Sequence, residues 1–396
     1  MLGGLALEEH EGAKGEEEII SRLLEEVRTC IEDKEFEEAI EKCEQIILIN
    51  DKNQEVYFCR GNAYKRQGKI KEAIEDYTRA IEININYEMA YYNRGMAYKK
   101  QGKIEEAIED YTRAIEINPN HAHVFFKRGC IYHQQGRIEE AIKDYTRVIE
   151  INPNDENAYF NRGFAYQQQG KIQEVIKNYT KVIEINPKDA DAYFNRGFAY
   201  SMQGETEKAI KDYTTALEIN PNYAEAYCNR GNIYRDQGEL EGAIKDYTKA
   251  VEISPNFGVA YYNRGLAYHE KGKIEEAIKD YIRAIEINPN DASVYYYRGN
   301  AYKKQGEIEK AIKDYTKVVE IDPNHAEAYF NRGAAYKEQG EIEKAIKDYT
   351  KVVEIDPNHA EAYFNRGVAY KEQGEIEKAM PDFLRAIEID PSYYKE

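Results

Sequence analysis

The sequence predicts an all-α solenoid of stacked antiparallel helix pairs, and three observations carry that expectation. Ten glycines (Gly61, Gly95, Gly129, Gly163, Gly197, Gly231, Gly265, Gly299, Gly333 and Gly367) recur every 34 residues. A second glycine ladder, Gly68 to Gly374, keeps the same interval, and nine of the ten prolines, Pro119 to Pro391, form a third. Between these markers the apolar residues follow a helical period. A fixed period of this length marks a chain of copied supersecondary units rather than two or three separate globular domains.

The segments follow in order. Residues 1–19 are acidic and read as a disordered tail. Residues 20–53 read as a divergent repeat that caps the array: Ala39 and Ile46 fall in register, but Val27 and Asp51 replace the usual Gly and Pro. Ten tandem repeats occupy 54–393, and 394–396 is a short tail.

Repeat 326–359 shows how each unit is built. Tyr329, Gly333 and Tyr336 share one face of a first helix, and Gln339-Gly340 breaks it. Ile342, Ala345, Ile346, Tyr349, Val352 and Val353 trace an apolar stripe on a second helix. Asp356-Pro357-Asn358 stops that helix, because proline cannot continue it and restricts the residue before it. Glu343 and Lys347 make a favourable i, i+4 pair, and small Gly333 and Ala345 let the two helices approach closely. In the last repeat Pro381 falls inside the second helix and should kink it, while Met380, Phe383, Leu384 and Ile387 leave an apolar end.

Composition narrows the function. The formal net charge is −18, which repels nucleic-acid backbones and anionic membranes. Apolar residues make up 42%, too many for a disordered chain. The first residues lack a basic region and a long apolar run, so no export signal is expected, and no stretch is long enough to span a bilayer. Five scattered cysteines without a CxxC give neither a disulfide framework nor a zinc site. A cytoplasmic protein is expected. The Asn178-Tyr179-Thr180 sequon lies in a helix and reads as chance.

Tyr363-x2-Arg366-Gly367-x2-Tyr370, Ala379-x3-Phe383 and Pro391 resemble the tetratricopeptide repeat, whose signature is W-x2-L-G-x2-Y…A-x3-F…P. The resemblance covers nearly all of 20–393. It implies a right-handed superhelix with a concave groove lined mainly by first helices. Two departures recur: Tyr, or once Phe125, replaces the Trp, and Arg replaces the Leu.

The Arg row, Arg60 to Arg366, falls on the packing face, where a guanidinium must be paired. The matching second-helix row is Asp76 to Asp382, with Asn178 alone departing. A structural Arg–Asp ladder is expected, with Arg230 and Asp246 as an example.

The opposite arc of the first helices is the candidate peptide site. Asn93, Asn161, Asn195, Asn229, Asn263, Asn331 and Asn365 form a row interrupted by Cys59, Lys127 and Tyr297. An Asn amide offers both donor and acceptor, so the row can bind the backbone of an extended peptide without reading its sequence. Phe164 and Phe198 would add selectivity; Phe160 and Phe194 are divided between groove and core. Lys65-Arg66, Lys99-Lys100 and Lys303-Lys304 are either docking points for an acidic tail or a solvated face. Some tetratricopeptide domains grip a chaperone's C-terminal carboxylate through a Lys/Asn clamp. Asn62, Asn93 and Lys127 match three of its five positions, while Phe58 and His123 stand where the family has Lys.

No catalytic constellation is expected. Gly61…Gly68-Lys69 has the wrong spacing for a phosphate loop, with Ile70 where Ser or Thr is needed. His121, His123 and His133 are too spread for a metal site, so no metal and no cofactor are expected. The reading is a non-catalytic adaptor or scaffold that holds an extended protein or peptide segment. The alternatives are a solenoid that oligomerises through its C-terminal helix, or a co-chaperone with a partial carboxylate clamp.

Overall fold

A computed structural model describes the backbone of residues 2–395 and the side chains of residues 15–393. Every regular element among the described residues is a helix, and none is a strand. The helices form consecutive pairs, as the period predicts. The chain divides into two compact bodies, Met1–Pro187 and Lys188–Glu396. No described helix is long and apolar enough to cross a membrane.

Each repeat's turn is set by its second glycine. In repeat 326–359 the first helix, Ala326–Glu338, ends at Gln339, and Gly340 adopts φ +77°. The Gly340 amide then donates to the Lys337 carbonyl and the Glu341 amide to the Tyr336 carbonyl, at 2.9 and 2.8 Å. This pair of bonds satisfies carbonyls that the helix end would otherwise orphan, and it needs the left-handed backbone that glycine adopts without cost. The second helix, Ile342–Ile355, stops at extended Asp356, before Pro357.

A crossing contact joins the two helices. Tyr77, Tyr111, Tyr145 and Tyr179 in the first body are completely buried, as are Tyr213, Tyr247, Tyr281, Tyr315 and Tyr349 in the second. Each ring lies directly over the first glycine of its repeat. Beside it, Arg230 donates to Asp246 through Nε at 2.7 Å and Nη2 at 2.8 Å, and through Nη1 to Thr214 of the preceding repeat at 2.9 Å. The same bidentate pair forms at Arg60–Asp76, Arg94–Asp110 and Arg128–Asp144 in the first body. In the second body it recurs from Arg196–Asp212 to Arg366–Asp382. Burial alone would lower the Arg230 pKa, but the bond to Asp246 and its charge more than reverse this, so the guanidinium stays ionised. Arg162 has only one bond to its partner, Nε to Asn178 Oδ1 at 2.9 Å. Asn178 is 0% exposed, which closes the sequon to modification.

At the N-terminus the backbone is helical from Leu2 to Glu32. The helix runs on into the cap repeat. That repeat solves the same packing problem with other residues. Val27 takes the glycine's place and small Cys43 the tyrosine's, both 0% exposed. Lys42 Nζ and Glu26 Oε2, 2.7 Å apart, replace Asp and Arg with the charges exchanged. Lys34 adopts φ 68° where later repeats have glycine.

At the other end Pro381 lies inside a helix that continues from Ile376 to Ile389. Ile376, Met380 and Leu384 form an exposed apolar stripe on it, each more than half exposed.

Candidate functional site

First helices of successive repeats pack against one another, Ala190–Met202 against Ala224–Asp236 and the latter against Gly258–Glu270. This leaves a first-helix surface on which the Asn row, Phe164 and Phe198 were expected to converge.

The Asn row is not uniform. Asn93, Asn161 and Asn195 turn their Nδ2 back to a carbonyl one turn earlier in their own helix, at 2.8–2.9 Å. Asn263 is buried and donates to Asn232 Oδ1 at 3.0 Å, and Asn331 donates to Tyr296 Oη at 3.1 Å. Asn229 and Asn365 are half-buried. In Asn161 and Asn195 one N–H is taken up by the helix itself, which leaves the second N–H and the carbonyl oxygen of each amide.

The clamp residues are engaged in the same way. Asn62 Oδ1 accepts from Tyr77 Oη at 2.8 Å, and Asn93 Oδ1 accepts from Lys65 Nζ. Lys127 remains half-buried. Lys65 stands out electrostatically: burial, helped by the charge of Arg66, lowers its pKa to about 8. The unfolded chain holds that proton more tightly, so stability rises with pH between about 8 and the free value of 10.5. Chemical denaturation across this window should show wild type gaining stability relative to Lys65→Met. Parallel curves would remove Lys65 as the cause.

Of the two phenylalanines, Phe164 is 43% exposed, whereas Phe198 is half-buried against the Tyr213 core. Phe160 packs edge-on to Tyr179, and Phe194 stacks on Tyr223 at 4.7 Å, so both act largely as core. Phe164 and Asn161 share a cavity of about 360 Å³ with Cys130, His133, Gln134, Tyr145 and Gln168. It lies between the first helices Ala122–Gln134 and Glu156–Gln168, both within the first body. Tyr145 comes from a second helix and was missed on sequence alone. The signal was present: Tyr77, Tyr247 and Tyr315 each donate to the Asn of their own first helix (Asn62, Asn232 and Asn300) at 2.7–2.8 Å. The buried tyrosine therefore reaches the first-helix surface, and Cys130 stands at the Asn position in its repeat.

A larger cavity, about 560 Å³, lies over Arg94 and Asp110. Those two groups are already bonded to each other, so it offers a ligand little. His121 pairs with Glu88, away from His133. Among the described residues, Cys30, Glu35 and Glu38 come together closely enough to hold an ion. Burial raises the Cys30 pKa, however, so the thiolate a metal needs is disfavoured.

A family model described as TPR repeat matches residues 61–102, 129–170, 168–204, 231–272, 265–306, 299–340 and 333–374. Two models described as tetratricopeptide repeat match 89–121, 190–223 and 360–393, and 110–143 and 212–245. No curated protein matches the chain. Among solved structures, a C-terminal part of a TPR repeat-containing protein from Cytophaga hutchinsonii is 17% identical, with TM-score 0.54, covering 61% of this chain and 98% of its own. YrrB, described as a TPR protein with an unusual peptide-binding site, is 31% identical over 45% of this chain and 92% of its own, with TM-score 0.42. MamA is 29% identical over 42% and 97%, with TM-score 0.40.

Proposed function

The chain belongs to the tetratricopeptide repeat family, and from that premise we propose that it is a non-catalytic scaffold holding an extended segment of a partner protein on its first-helix surface. Proteins of this family generally mediate protein–protein interaction. The observation that carries the reading is the open cavity where Phe164, an exposed aromatic, meets the Asn161 amide. An aromatic anchor beside a backbone-binding amide is what an extended peptide requires: one group for a side chain and one for a main-chain N–H.

The test is affinity capture from cell extract, quantified by mass spectrometry, with wild type, the double variant Asn161→Ala/Phe164→Ala, and Lys177→Ala on a second helix as control. The double variant should lose at least about tenfold of the specific partners at unchanged helical circular dichroism, as expected for an interface hot spot. The control should lose none. Equal capture by all three would overturn the reading.

A further inference from the structure

We infer that the cavity between residues 122–134 and 156–168 is a receptacle for a tyrosine side chain of the bound segment. This rests on the reading of the first-helix surface as a peptide site, and names what one position of that peptide must be.

Three features select the occupant. The first is a pair of buried polar atoms without a strong partner, Tyr145 Oη and His133 Nε2, both on residues that line the cavity. Tyr145 is 0% exposed, and its hydroxyl has only the Cys130 thiol beside it, a weak hydrogen-bonding group. Leaving such atoms unpaired is unfavourable, so a ligand that completes them gains more than one that does not. Tyr111 and Tyr281 are also unpartnered, but Met96 and Leu266 stand at their Asn positions, and those covers are apolar.

The second feature is an aromatic wall. The Phe164 ring meets the His133 ring at 5.2 Å and 44°. A planar side chain sliding against it gains offset or edge contacts in addition to its buried area. The third is the lack of charge. In a chain that is 32% charged, no Asp, Glu, Lys or Arg lines this cavity. An ionised ligand group would be desolvated here without a counter-charge.

A phenol meets all three conditions. Its ring faces Phe164 and His133. Its hydroxyl donates to one of the two orphaned atoms and accepts from the other. Because Tyr145 Oη can do either, this works with both His133 tautomers. A phenylalanine would leave both atoms unpaired, and a carboxamide would leave the aromatic wall unused.

The test uses the full chain and two probes, p-cresol and toluene, titrated by NMR. Wild type should bind p-cresol at least about tenfold more tightly than toluene, since a site built to hydrogen-bond a hydroxyl rejects the analogue lacking it. Tyr145→Phe keeps the ring over Gly129 and removes only the hydroxyl, so the fold is retained. It should remove most of that preference while leaving toluene unchanged. Equal binding of the two probes to wild type, or a preference that survives Tyr145→Phe, overturns the inference. A second arm selects peptides from a random displayed library. Tyrosine enriched at one position and lost on Phe164→Ala supports the assignment. Enrichment of another residue, still dependent on Phe164, overturns the tyrosine assignment and leaves the peptide reading standing. No Phe164-dependent enrichment overturns both.

Discussion

Replacing Asp246 by alanine should destabilise its repeat by about 3–5 kcal/mol, the usual cost of removing one partner from a buried ion pair. Arg230 would be left with its charge inside the fold, where its side chain is only 15% exposed. What remains is one bond to Thr214 and the faces of Tyr227 and Tyr234, 5.7 and 5.9 Å away. Those rings soften the loss by about 1 kcal/mol at most for a partly exposed cation. Asp246→Asn should cost less, because repeat 156–189 already lives with Asn178 and keeps a single bond to Arg162. By the same logic Asn178→Asp should stabilise that repeat. In an array whose repeats contact chiefly their neighbours, the damage is local. The measurements are denaturant unfolding together with amide exchange of residues 224–253. Unchanged exchange and an unchanged midpoint for Asp246→Ala would show that the pair is not a structural element.

Gly265→Ala should cost up to about 2 kcal/mol net although alanine is the better helix former. A Cβ at 265 would sit 2.6 Å from Tyr281 Cε1 and 2.9 Å from Cδ1, far inside contact distance. Tyr281 is 0% exposed and has no room to withdraw, and the neighbouring Arg264–Asp280 bonds hold the two helices at that spacing. Overpacking of this kind costs about 1–3 kcal/mol, occasionally more, against a propensity gain of about 1 kcal/mol. Gly163→Ala is the internal control. Its nearest neighbours, Asn178 Cβ and Tyr179 Cζ, lie at 3.2 and 3.3 Å, so the gain and the crowding nearly cancel. Equal melting shifts for the two variants would mean that the crossing distance does not decide these glycines. The cap repeat shows that the constraint is on the sum of the pair, since Val27 is accepted opposite Cys43.

Much of this was legible in the residues. The second glycine of each repeat marked the turn because only a left-handed backbone closes it, and the prolines marked the second helix's end. The Arg and Asp rows share one register, so their pairing could be read before any coordinate. The Glu26–Lys42 pair was missed although both residues stand at the pairing positions of the cap repeat; the exchanged charges hid it. The Asn row was legible as a row but not as a site, because its side-chain torsions are set by neighbours. Asn263 bonds Asn232, and Asn161 bonds its own helix.

The sequence by itself determined the period, the helix pairs and the buried ion-pair ladder. Each of these follows from local backbone preference or from two rows copied in the same register. Only the tertiary structure decided which polar atoms are satisfied and where a cavity opens. Tyr145 has only a weakly bonding thiol beside its hydroxyl because Cys130 stands where three other repeats place an asparagine, and Phe164 of the next repeat leaves space above it. That outcome depends on side chains 15 to 34 residues apart meeting across two packed helices. Such distances follow from packing, and no periodicity in the chain encodes them.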